Sequence, residues 1–207
     1  MTDVGADLGG RPAGTYVGDM NDLVQATLSE TIALHERMKG IDPTPIVDAA
    51  AAIVETITRD GTLLIFGNGG SATDAQHVAA ELIGRFQRER RALAAIALTT
   101  DASVLTAITN DYAFERVFSR QVEGLGKRGD VAFGISTSGR STNIVAALET
   151  ARARGLQTIA LTGRDGGAVG RAAAIHINVP SDSTPRVQEV HRTVLHIICD
   201  IVERAFA

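Results

Sequence analysis

Five short apolar runs, spaced apart by helical stretches, constrain this chain more than any other feature. They are Leu63 to Phe66, Ala94 to Leu98, Val131 to Ile135, Thr158 to Leu161 and Ile175 to Val179. A strand with one wet face alternates apolar and polar residues, whereas runs that are apolar throughout belong to strands covered on both faces. The stretches between them, about 71–85, 113–125, 141–154 and 168–173, carry helical spacing, as do 186–206 and a shorter segment at 104–109. The expected fold is therefore α/β, a three-layer, doubly wound, five-stranded parallel sheet of the flavodoxin-like kind.

Two extra helices stand ahead of the first strand. Met20 to Lys39 has Leu23, Val24, Leu28 and Ile32 at near-helical intervals before Gly40. A second begins at Pro45, suited to a first helical turn, and runs through an Ala-rich stretch to Thr58. Residues 1–18 read as a flexible tail and 19–207 as a single domain: N-terminal helices 20–60, sheet core 62–180, C-terminal helix 186–206. No repeat, low-complexity tract or long linker divides it.

Composition narrows the function classes. Twenty Lys and Arg against 24 Asp and Glu give a formal charge of -4, so neither nucleic acid nor an anionic membrane is an expected partner. No run approaches the roughly 18 apolar residues of a membrane span, and the first 18 residues lack the basic start and apolar stretch of a secretory signal. Cys199 is the only cysteine, which excludes an internal disulfide and fits a cytoplasmic setting.

In doubly wound sheets ligands bind beyond the carboxyl ends of the strands, where helix N-termini favour anions. Two loops occupy such places. Gly67-Asn68-Gly69-Gly70-Ser71-Ala72 follows the first strand and satisfies the G-x-G-x-x-[G/A] pattern. That pattern alone is equally that of a tight turn. Ser136-Thr137-Ser138-Gly139-Arg140-Ser141 follows the third strand and is more specific. One hydroxyl is enough to cap a helix, whereas four beside bare N–H groups make a nest for a phosphate monoester. The lysine and spacing of a nucleoside triphosphate loop are missing. A nicotinamide dinucleotide is the competing ligand, with Asp101 after the second strand as its ribose carboxylate, but it leaves the serine loop without a role.

Among the ionisable residues, His77 and Glu81 share a helical face at i,i+4 and can ligate a metal, position a base or simply form a surface pair. The last helix carries Gln188, His191 and His196 among apolar neighbours. Gln188 and His196 stand about 80° apart around the axis and about 12 Å apart along it, so spacing does not assign them a common metal. For His191 the plain reading is a histidine satisfied by local hydrogen bonds.

Taken together, these motifs resemble the phosphoheptose (sedoheptulose 7-phosphate) isomerases of the sugar isomerase, or SIS, fold. The likeness runs over nearly the whole chain after the tail and rests on Gly67-Asn68-Gly69-Gly70-Ser71, His77-Val78-Ala79-Ala80-Glu81 and Asn110-Asp111-Tyr112. It extends through Gly134-Ile135-Ser136-Thr137-Ser138-Gly139, Leu161-Thr162-Gly163, Asp165-Gly166-Gly167 and Arg186-Val187-Gln188-Glu189-Val190-His191, followed by His196. The resemblance implies a reversible ketose–aldose conversion of sedoheptulose 7-phosphate to D-glycero-D-manno-heptose 7-phosphate, feeding nucleotide-heptose synthesis. It implies a homotetramer with shared active sites and one Zn2+ per site on His77, Glu81, Gln188 and His196.

It further implies Glu81 as base and His196 as acid, with Asn68, Gly69, Gly70, Ser71, Glu81, Asn110, Asp111, Ser136, Thr137, Ser138, Ser141 and Gln188 as the substrate-binding set. One position departs from the pattern: Pro185 stands where some members have Asp. A non-catalytic adaptor of the same fold that binds the replication initiator is the alternative, and its resembling members lack the glutamate and histidine that this chain keeps at 81 and 196.

Overall fold

The computed structural model describes the backbone of residues 13–207 and the side chains from Asp19 onward, in two compact units, residues up to Lys39 and residues 40–207. Helix α1 (Ala13–Lys39) makes up the first. It starts seven residues before the expected Met20, so residues 13–18 are helix where a flexible tail was expected. Gly14 and Gly18 make this extension unfavourable, since glycine costs a helix about 1 kcal/mol. Extending an established helix nevertheless adds one bond per residue fixed, far less demanding than nucleation. The remainder of the expected tail, residues 1–12, lies outside the described residues.

In the second unit, α2 (Thr44–Thr58) precedes β1 (Leu63–Gly67), α3 (Gly70–Ile83), β2 (Ala95–Ala97), α4 (Ala102–Asp111) and α5 (Ser119–Leu125). Then follow β3 (Val131–Ser136), α6 (Thr142–Ala153), β4 (Gln157–Gly163), α7 (Gly167–Ala172), β5 (Ile175–Val179) and α8 (Thr184–Arg204). The five strands are parallel in the order β2-β1-β3-β4-β5. Strands β1 and β3 are buried throughout, as their uninterrupted apolar sequences require. The edge strands β2 and β5 are partly exposed.

The expected 113–125 helix is divided into a 3-10 turn at Phe114–Arg116 and α5, and β2 keeps only the middle of its apolar run.

Helices α2, α3 and α8 pack on one face of the sheet and α5, α6 and α7 on the other. Strand alternation divides the core accordingly. Leu64, Phe66, Ala132 and Ala160 meet Ile144, Leu148 and Phe118 on the second face. Small residues in the central strands let α6 approach, and a Cβ on Gly134 would press on Ile144. On the first face α8 buries Val187, Val190, Val194, Leu195, Ile198 and Val202, and its first turn holds Pro185. Among the described residues no helix is long and apolar enough to cross a membrane.

Candidate active site

The strand order reverses between β1 and β3, which places the two sequence-marked loops side by side at the switch point of the sheet. They are tied together. Asn68 in the first loop and Asn143 at the start of α6 exchange amide hydrogen bonds of 3.0 and 2.9 Å. Asn143 is buried, so this pair fixes the separation of the loops from within.

The serine loop keeps its hydroxyls together. Ser136 Oγ lies 2.9 Å from Ser141 Oγ and 3.5 Å from Ser138 Oγ, and Ser138 Oγ accepts the Arg140 N–H at 3.2 Å. Ser141 sits at the N-cap of α6, yet its side chain makes no capping bond. A serine spent on capping was the structural alternative, and the hydroxyls are turned to one another instead. Gly139 has φ +67°, and a Cβ there would strike the Gly166 carbonyl, so the loop after β4 presses on the serine loop and sets its path. Val169 donates its N–H to the Gly139 carbonyl at 2.9 Å, closing that contact.

The first loop turns at Gly69, φ +55°, into α3. A Cβ on Gly70 would collide with the Gln188 amide, so this glycine admits α8. Along α8, residues 188, 192 and 196 are four apart and share one side. Each meets α3: Gln188 lies against Gly70, Arg192 donates from Nε and Nη2 to Asp74 Oδ1 at 2.9 and 2.6 Å, and His196 reaches His77.

The histidine contact is direct, Nε2 to Nε2 at 2.8 Å, and His77 Nε2 lies 3.3 Å from Glu81 Oε1. One of the two ring nitrogens donates to the other, according to the tautomer each ring holds. Burial first, then the neighbouring His77 and Arg192, push the His196 pKa below its ordinary value, against the opposing pull of Glu81 and Asp74. His196 is thus a neutral imidazole near pH 7, able to take a proton at one nitrogen and give one at the other.

Among the described residues no group of three or more His, Cys, Asp and Glu is arranged as a metal site. The donors nonetheless suit zinc. Two imidazole nitrogens and a carboxylate oxygen are donor types that zinc takes, and His77 Nε2 lies 2.8 Å from His196 Nε2 and 3.3 Å from Glu81 Oε1.

Other expected site residues fall elsewhere. Asn110 and Asp111, at the end of α4, are exposed, and Asn110 Nδ2 donates to Asp111 Oδ1 at 2.8 Å. Pro185 is exposed and brings no carboxylate to the mouth of the site. Asp101, the possible ribose ligand, caps α4 by accepting from Ser103 and Val104 N–H at 2.9 and 3.0 Å. His191 is fully buried; its Nε2 donates to the Thr162 carbonyl at 3.0 Å, while Nδ1 has no partner. Asp74, Asn143 and Arg192 were not expected at the site. The i−3 spacing of Asp74 from His77 and the i−4 spacing of Arg192 from His196 are the signals that mark two of them.

Residues 28–163 match the SIS domain family. A phosphoheptose isomerase of Pelobacter propionicus is 51% identical over 186 residues, covering 90% of this chain and 98% of the relative. The solved phosphoheptose isomerase GmhA of Neisseria gonorrhoeae superposes with a TM-score of 0.85 at 45% identity, covering 89% of this chain and 99% of that one. One from Francisella tularensis gives 0.86 at 37%, over 89% and 98%.

Proposed function

We infer, for a chain that belongs to the phosphoheptose isomerase family of SIS-domain proteins, that it is an aldose–ketose isomerase converting sedoheptulose 7-phosphate to D-glycero-D-manno-heptose 7-phosphate. The observation that carries the reading is the joining of Glu81, His77 and His196 across α3 and α8, on a sheet whose switch point carries a hydroxyl-lined loop. The phosphate is held by Ser136, Thr137, Ser138 and Ser141. The hydroxyls of Ser136, Ser138 and Ser141 exchange bonds with one another for bonds to phosphate oxygens, beside the first N–H groups of α6. Asn68, Gly69, Gly70 and Ser71 line the sugar, and Gln188 meets it from α8.

Interconversion requires a proton to move between C1 and C2 and the protons on O1 and O2 to exchange. Glu81 takes the C1 proton, leaving an enediol, and returns it to C2. His196, neutral and amphoteric, delivers a proton to O2 and receives one from O1. His77, Glu81, Gln188 and His196 would hold one Zn2+, which supplies Lewis-acid polarisation of the carbonyl and stabilises negative charge on the enediol oxygens.

A homotetramer with shared sites is part of the same reading. It is supported by α4, which buries no residue although it carries Val104 and Ile108, and which ends in the exposed Asn110 and Asp111. Neither nucleic acid nor membrane is a partner in this reading, and the reaction is assigned to the cytoplasm. The test is incubation of purified protein with sedoheptulose 7-phosphate, with and without chelator, following aldose formation. Aldose should appear in the untreated sample, and absence of product in both overturns the assignment.

A further inference from the structure

Glu203, in the last turn of α8, has a side chain with no exposed surface. A buried ionised carboxylate is unfavourable unless its lone pairs are met. Here Oε1 accepts the Phe86 N–H, and Oε2 those of Gln87 and Arg88, each at 2.8 Å. Three consecutive amides converging on one anion form a backbone nest. Burial works against ionising this group, but the three amides, with Arg90 beside them, outweigh it and hold its pKa below the usual carboxylate range.

Arg90 is equally buried, its Nε 3.8 Å from Glu203 Oε1 and without a hydrogen bond of its own. The rest of its guanidinium grips the end of α3. Nη2 donates to the Glu81 carbonyl at 2.6 Å and Nη1 to the carbonyls of Gly84 and Arg91 at 2.8 and 2.9 Å. Carbonyls in a helix's last turn lack intrahelical donors, so Arg90 takes the place of a cap at the residue that carries the proposed base. Residues 84–92 contain no helix or strand, and Phe86 within them lays its ring 5.4 Å from that of His196. One buried ion pair thereby reaches both proposed proton-transfer groups, Glu81 through its backbone and His196 through its ring neighbour.

We propose that Glu203 and Arg90 are positioning residues that lock the 84–92 segment so that Glu81 and His196 hold the orientation proton transfer needs. This rests on the assignment of those two residues to the reaction. Displacing reacting groups by about an ångström can cost about a hundredfold in rate. Glu203→Gln keeps the shape but turns an amide NH2 toward backbone N–H donors. It should lower kcat by about tenfold or more with KM within about threefold, since the serine loop is untouched. Amide exchange at Phe86, Gln87 and Arg88 should accelerate in parallel. Arg90→Gln should give the same kcat loss if Glu203→Gln does not fold. Val202→Ala, a buried neighbour on α8 with no bond to the segment, should lose stability but keep kcat within about twofold.

A folded Glu203→Gln enzyme with unchanged kcat, or an equal kcat loss in Val202→Ala, overturns the proposal. If the unaltered protein does not turn over the heptose phosphate, the functional assignment fails instead. The lock is then judged by amide exchange alone, and unchanged protection at the three amides in Glu203→Gln overturns it.

Discussion

Acidification should destabilise this fold through one histidine by an amount its surroundings set. His191 is buried on α8 with Nε2–H given to the Thr162 carbonyl and a bare Nδ1, so protonation would place an unpartnered cation in the core. Burial lowers its pKa from 6.5 to about 4, with the Thr162 carbonyl and Asp74 only partly opposing. In the unfolded chain the ring protonates near 6.5, in the folded chain near 4, so the unfolded state binds more protons between these values. The stabilising contribution is complete above pH 6.5 and is lost as pH falls toward 4. At about 1.4 kcal/mol per tenfold difference in proton affinity, the full loss is about 3 kcal/mol, and most of it is spent by about pH 4.5.

The assay is urea unfolding at a fixed protein concentration across this range, comparing the unaltered chain with His191→Met. The substitution removes the hydrogen bond to the Thr162 carbonyl, a cost that does not vary with pH. The stability gap between the two proteins should therefore shift by about 3 kcal/mol in favour of His191→Met on going from neutral to about pH 4. Parallel curves would refute the burial of an uncompensated imidazole.

Three further outcomes follow from the site. Gly139→Ala forces a Cβ into the Gly166 carbonyl at φ +67°; it should cost about 1–3 kcal/mol in urea unfolding and raise KM for the sugar phosphate, and an unchanged KM counts against the loop's role. Asp74→Asn and Arg192→Met should show a coupling of about 1 kcal/mol in a double-mutant cycle, modest because the Arg192 side chain is 40% exposed; zero coupling contradicts the bracket between α3 and α8. Metal analysis should find one zinc per chain, removed by chelator and not regained by His77→Ala; full zinc content in that variant removes His77 from the ligand set.

The sheet was legible because β1, β3 up to Ile135 and the centre of β4 from Ile159 to Leu161 are unbroken apolar runs, a pattern that helices on both faces impose. Element ends were less so: Phe114 begins a 3-10 turn where periodicity suggested a continuous helix, and α1 runs back through two glycines. The serine loop could be read locally, since its hydroxyls, its glycine and the following helix are contiguous. His77 and Glu81 were visible as an i,i+4 pair, but spacing did not distinguish a surface pair from a functional one. The contact that does so is with a histidine 119 residues away. Asn143, Arg192 and Glu203 escaped notice for the same reason, each owing its role to a partner on another element.

The most direct test of the chemistry is Glu81→Gln, which keeps side-chain shape and removes the base. If Glu81 moves the proton between C1 and C2, this variant should bind sedoheptulose 7-phosphate with measurable affinity, its serine loop intact, and form no detectable aldose. Turnover at the rate of the unaltered protein would contradict the assignment.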